Sequence, residues 1–175
     1  QIDRADFAYP CSILAVRYQQ ACWVNQVSII EFFADGNVTA TSDGCEKAPA
    51  AYVHLCFIGL GTDLNGHTLG NDDSTLAMCA RTSESGQPWC YVGVAKNLIE
   101  VGAQPEKGLA FCRRVPGQVA KMRCFEAVGE EIASISEAAA DRARMCAPAE
   151  AGFADACRYG ARLLIERPPS LPPAH

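Results

Sequence analysis

The chain has 175 residues, a net charge of -5, 49% hydrophobic residues and a mean hydropathy of +0.01. That balance suits one globular domain and excludes a disordered chain. The charge argues against a general nucleic-acid binder, and no apolar run approaches the roughly 20 residues of a membrane-spanning helix.

Ten cysteines, with Gln and not Met at position 1, predict an oxidising compartment: periplasm, secretory lumen or extracellular space. A signal segment is then expected to have been removed or to lie outside this sequence. Charge is uneven. Residues 1–87 hold 4 basic and 10 acidic side chains, a balance of -6; residues 88–175 hold 11 and 10, a balance of +1.

The cysteines form two interlocked ladders. Cys11, Cys45, Cys79, Cys112 and Cys146 are separated by 34, 34, 33 and 34 residues. Cys22, Cys56, Cys90, Cys124 and Cys157 are separated by 34, 34, 34 and 33. A period of this size marks an array whose units bury their apolar faces against their neighbours. The expected fold is all-α, an α-solenoid of about five αα-hairpin repeats over residues 11–166, preceded by a lead at 1–10 and followed by a proline-rich tail at 167–175.

In chain order, the lead QIDRADFAYP brings Phe7 and Tyr9 as packing residues and ends on Pro10, which suits a first helical turn. Residues 11–36 read as helical, stopping at Asp35-Gly36. One unbroken helix there would hold Cys11 and Cys22 ~16 Å apart, too far for a disulfide. Either the helix breaks or the two pair elsewhere. The later repeats carry breakers between their cysteines: Pro49, then Gly86 and Pro88, then Pro116-Gly117, then Pro148. The first cysteine then ends a short helix A, and the second sits about two turns into helix B.

Aligned on the second cysteine, helix B shows an aromatic one residue on (Trp23, Phe57, Tyr91, Phe125, but Arg158). A mostly small residue follows at three on (Asn25, Gly59, Gly93, Ala127, Gly160), and an aliphatic at eight on (Ile30, Leu64, Leu98, Ile132, Ile165). With Tyr18, Tyr52, Gly86, Ala120 and Phe153 four residues before the cysteine, offsets -4, 0, +1, +4 and +8 make one helical stripe, and the small residue at +3 allows a neighbouring helix to approach. Helix A is less regular. Residues 72–74 offer a cap, Pro105 a helix start, and Ser136 a cap for the run to Cys146. The β-branched, Gly-bearing segment 37–45 is expected to be irregular. Residues 61–73 read as an inter-repeat turn and not a calcium loop, since the EF-hand pattern is missing. The tail RPPSLPPAH is expected to be extended.

Pairing within each repeat is favoured, because joining helix B to the next helix A would strand Cys11 and Cys157 at opposite ends of the array. Each bridge then constrains the unfolded chain by roughly 3 kcal/mol. No metal or other cofactor is expected: there is no C-x-x-C, and His54, His67 and His175 fall at no ligand spacing. No catalytic residues are expected either, for no nucleophile stands beside a base and orienter; Asp72-Asp73 and Glu130-Glu131 read as caps and a solvated face. The one candidate binding patch is Lys107, Arg113, Arg114, Lys121 and Arg123, five cations over a stretch without a carboxylate between them. It would attract an acidic partner segment.

The 34-residue helix-turn-helix period resembles tetratricopeptide-type arrays. With a disulfide per hairpin and the motifs CFIG at 56–59 and CYVG at 90–93, the chain looks most like the bacterial cysteine-rich Sel1-like repeat proteins. The resemblance spans about residues 11–165 and implies the architecture and a protein-binding role, with no site residues carried over. The expected function is an extracytoplasmic protein-binding or scaffold module whose partner is another protein or further copies of itself. A structural or accessory subunit, stacked head to tail or docked on a complex, comes second. A hydrolase of cell-wall or β-lactam-like substrates, suggested for some Sel1-like relatives, comes last.

Overall fold

The structure, a computed structural model, describes residues 6–169 and 171. Among them nine α-helices and one short 3-10 turn make up the regular structure, with no strand, as the two cysteine ladders predict. They fall into two compact units, one ending at Gly93 and the other beginning at Val94.

The first unit contains the 3-10 turn Cys11–Ile13, α1 (Val16–Phe33), α2 (Val38–Cys45), α3 (Val53–His67), α4 (Asp72–Cys79) and the start of α5 (Gln87–Glu100). The open question over residues 11–36 is resolved by a break. Leu14 and Ala15 take extended angles (ψ 148° and 142°), which brings the Cα atoms of Cys11 and Cys22 to 5.6 Å. No Pro or Gly announces this break. At the break Gln19 Nε2 donates to the Leu14 carbonyl, and buried Gln26 Nε2 holds the preceding lead through the carbonyls of Phe7 and Tyr9.

Helix A is more regular than expected. Segment 37–45 is an eight-residue helix, α2, because the Asn37 side chain accepts a hydrogen bond from the Ala40 N–H and so caps it. Asn71 caps α4 in the same way through the Ser74 N–H, one residue ahead of the expected cap. Both asparagines stand eight residues before the first cysteine of their pair. Each also follows a left-handed pair, Asp35-Gly36 (φ 51° and 70°) and Leu69-Gly70 (φ 52° and 74°). There the glycine N–H closes the preceding helix on the carbonyl five residues back, Glu31 and Asn65 respectively. An X-Gly-Asn triplet thus ends one helix and starts the next. The inter-repeat turn is accordingly shorter than residues 61–73, since α3 continues to His67.

The second unit holds the rest of α5, then α6 (Pro105–Arg114), α7 (Gln118–Ile135), α8 (Ala139–Cys146) and α9 (Ala154–Gly160). Pro105 opens α6 as expected. Ser136 does not cap α8; it closes α7, and Ala138 precedes α8 with no side-chain cap bond. The second cysteine lies in the first turn of α3, α5 and α9, nearer the helix start than two turns. The breakers delay helix B by forming a turn first, and Pro88 sits inside the first turn of α5, where a proline costs no hydrogen bond.

All five bridges join the two cysteines of one helical pair: Cys11–Cys22, Cys45–Cys56, Cys79–Cys90, Cys112–Cys124 and Cys146–Cys157. Their Cα separations run from 5.5 to 5.8 Å. Nine of the ten cysteines are buried, Cys22 being partly exposed.

Helices B pack on one another within each unit, α1 on α3 and α7 on α9. The small residue three past the second cysteine makes this possible. A Cβ on Gly59 would stand 1.9 Å from the Val24 carbonyl oxygen, one on Gly93 1.9 Å from that of Ile58, and one on Gly160 2.0 Å from that of Glu126. In each case the carbonyl belongs to the residue two past the cysteine of the preceding helix B, so one backbone contact is repeated. The aromatic lane is shared likewise. Trp23 stacks on Tyr52 at 6.1 Å, Phe125 on Phe153 at 5.5 Å, and the Phe57 ring occupies the space a Gly86 side chain would fill.

The stripe fails in the fifth repeat. α9 stops at Gly160, Arg162 turns left-handed at φ 57°, and Ile165 is fully exposed in place of the expected burial. In the third repeat Ile99 is buried where Leu98 was expected, Leu98 being half-buried. The tail departs from a purely extended course, because the Leu171 N–H donates to the Pro168 carbonyl at 2.9 Å and Leu171 is buried. Residues 1–5, 170 and 172–175, and with them His175 and the end of the proline-rich segment, lie outside the described residues.

Candidate binding groove

Helix α6 ends in Arg113 and Arg114, and Val115 is extended and buried beneath them. Pro116 and Gly117 then turn the chain, Gly117 at φ 79° being the residue before α7 and offering no side chain to cap it. Lys121 follows in the first turn of α7. With Gln118, these residues and Glu150 and Phe153 from the α8–α9 connection enclose a groove of about 430 Å³.

Its cations are held in place. Arg113 Nη2 donates to the Pro148 carbonyl at 2.6 Å. Lys121 Nζ lies 3.1 Å from Glu150 Oε2 and 5.5 Å from the centre of the Phe153 ring. The Arg113 contact orients a charge without cancelling it, whereas the Lys121 contact cancels one.

Of the five cations in the patch read from sequence, Arg113, Arg114 and Lys121 line this groove. Lys107 is exposed on α6, seven residues before Arg114 and so on the same helical face, but is not part of the lining. Arg123 is buried, 9% exposed, and desolvation pulls its pKa below the usual guanidinium value, with Glu126 opposing and Arg167 adding to that effect. Sequence spacing could not find Glu150 and Phe153, which a different disulfide loop supplies. Pro148 was the available signal, marking a turn between the last two cysteines.

A second groove of about 560 Å³, also in the second unit, is lined by Lys96, Glu126, Glu130, Glu131, Tyr159 and Ile165 among others. Glu130 and Glu131 are more than the solvated face expected of them. Both hold Lys96 Nζ, at 2.8 and 3.0 Å. Burial disfavours the ammonium, yet the two carboxylates outweigh it and leave the Lys96 pKa above the usual value. Glu126 meets Arg167 through two hydrogen bonds of 2.9 and 3.1 Å, and its pKa is nevertheless raised by desolvation.

In the first unit, Ser28 Oγ donates to Asp63 at 3.0 Å, and His67 Nδ1 lies 3.5 Å from Glu31. His54 packs its ring 5.1 Å from that of Trp89. Among the described residues no helix is long and apolar enough to cross a membrane.

The chain thus belongs structurally to the class of disulfide-stapled, all-helical proteins, and its five intramolecular bridges point to an oxidising, extracytoplasmic environment. No family model, curated protein or solved structure matches it.

Proposed function

We propose that this chain is an extracytoplasmic protein-binding or scaffold module, a stapled helical repeat array of the Sel1-like kind. The observation that carries this reading is the repeated backbone contact at Gly59, Gly93 and Gly160, each beside a disulfide-locked helical pair. Contacts that close fix the helices B rigidly and leave the turns between paired helices to display side chains, which is how repeat arrays present binding surfaces. Affinity capture from the native extracytoplasmic fraction tests it. A partner retained by the oxidised protein and lost after reduction is expected; retention that survives full reduction and unfolding would contradict it.

Self-assembly is the second reading, favoured by the charge split of -6 over residues 1–87 against +1 over 88–175. Stacking copies head to tail in the internal register meets an obstacle, because Asn25 stands where Gly59, Gly93 and Gly160 leave no room for a side chain, and Arg158 where the other four pairs carry an aromatic ring. Light scattering across salt concentration separates the readings: a monomer at low and high salt removes self-assembly.

A further inference from the structure

We infer that the groove at the α6–α7 turn takes a run of side-chain carboxylates from a partner polypeptide, with Arg113, Arg114 and Lys121 as its contacts. This rests on the protein-binding reading above and names the chemistry of the partner.

The lining carries three cations against one carboxylate, Glu150. Two of the cations are successive residues at the end of α6, and the third comes from α7, so the positive charge is spread over separate positions. Such spacing suits several carboxylates in sequence better than one small anion. The Arg113 guanidinium is anchored on a neutral carbonyl at 2.6 Å, a contact that orders it in advance and does not itself neutralise its charge. At Lys121 the groove already holds one carboxylate of the kind proposed, Glu150 at 3.1 Å. Bidentate pairing with planar carboxylates is the geometry that guanidinium groups favour.

The apolar lining fits a peptide backbone and its methylenes. Val115, Pro116 and the Phe153 ring lie among the cations, and about 430 Å³ is within the usual size of ligand sites, roughly 300–1,000 Å³. The start of α7 adds to the field, since no acidic residue occupies its first turn. A nucleic acid is disfavoured. The chain's net charge of -5 opposes association with a long polyanion.

The experiment is fluorescence anisotropy of a labelled hexaglutamate peptide with the full chain, its five disulfides and far-UV circular dichroism checked for every variant. Binding is expected that weakens at least about tenfold in Arg113→Glu and in Arg114→Glu, the latter leaving the Pro148 anchor intact. Raising salt from about 50 to about 300 mM should weaken it similarly. Glu150→Gln should tighten it, and Lys47→Glu, an exposed charge reversal in the other unit, should leave it unchanged. The inference is overturned if hexaglutamate does not bind, if Lys47→Glu weakens it as much as Arg114→Glu, or if inorganic phosphate or a sulfated oligosaccharide binds more tightly. Failure of the peptide while affinity capture still yields a partner removes this site and leaves the protein-binding reading standing.

Discussion

The two units share one disulfide plan and one glycine contact but hold their helices by different means. In the first, Asn37 and Asn71 cap the short helices, and Thr41 and Thr75, both fully buried, return their hydroxyls to the Asn37 and Asn71 carbonyls. In the second, α7 and α8 begin without a side-chain cap bond, and ion pairs take over: Lys96 with Glu130 and Glu131, Lys121 with Glu150, Arg167 with Glu126. The first unit therefore relies on neutral caps for its short helices, with carboxylates such as Asp63 and Glu46 accepting from serines, while the second spends its charges on ion pairs and keeps a basic groove. A common covalent frame tolerates this divergence because the staples and backbone contacts, which do not depend on charge, are the same in both.

The largest effect expected is from the staples themselves. Replacing both Cys45 and Cys56 by Ala, or both Cys146 and Cys157, should each cost about 3 kcal/mol, measured by denaturant unfolding with hydrogen exchange to locate the loss. A bridge whose removal costs nothing in one unit would break the equivalence of the two.

Next comes the glycine contact. Gly59→Ala should destabilise by about 1–3 kcal/mol despite the better helix propensity of alanine, because its Cβ would meet the Val24 carbonyl oxygen, a backbone atom with little room to yield. Gly160→Ala should behave alike in the second unit. Gly66→Ala, in the same helix as Gly59 but with nothing within 4 Å, should stabilise by up to about 1 kcal/mol. A thermal melt in which Gly59→Ala matches Gly66→Ala would refute the close contact.

The caps sharpen the contrast between units. Asn37→Ala and Asn71→Ala should each cost about 1 kcal/mol, and Ala138→Asn should recover part of that in the second unit.

Most of this frame was legible because disulfides and hairpins leave periodic marks. The ladder of 34 gave the pairing partners, and the aligned small residue gave the close approach. What escaped depended on contacts between distant segments. The break at Leu14 and Ala15 has no local breaker; the Leu14 carbonyl is satisfied by Gln19, and the lead before it is held by Gln26 on the Phe7 and Tyr9 carbonyls. Asn37 was hidden in a β-branched, Gly-containing segment whose propensity argues against a helix; one side-chain bond and the Cys45 bridge outweigh it. Of the basic patch, charge and spacing found three of the groove's cations, but burial of Arg123 inside α7 is a tertiary fact.

The smallest effect is the pH dependence of the ion pairs. The Lys96 pKa is raised above 10.5, so its stabilising contribution is complete below that pH and is lost as pH rises through the higher folded-state value. Nitrogen NMR should place the Lys96 midpoint above 10.5, and Lys96→Gln should flatten the alkaline loss of stability. In the first unit Glu31 is raised from 4.5 by burial, with His67 opposing. Its protonated form is thus favoured by folding, and acidification from neutral pH through that raised value should strengthen the unit; Glu31→Gln should remove the effect.

Peptide mapping of the unreduced protein reads the covalent frame on which everything else stands. Arg17, Lys47, Arg81, Arg113 and Glu150 each lie between the two cysteines of one pair, and Asp63, Asp72 and Asp73 lie between Cys56 and Cys79, so cleavage after basic, glutamate and aspartate residues opens every loop and puts each cysteine on its own fragment. The fragments should remain joined as Cys11 with Cys22, Cys45 with Cys56, Cys79 with Cys90, Cys112 with Cys124, and Cys146 with Cys157. Fragments joined as Cys22 with Cys45 or Cys56 with Cys79, or free thiols at these positions, would contradict it.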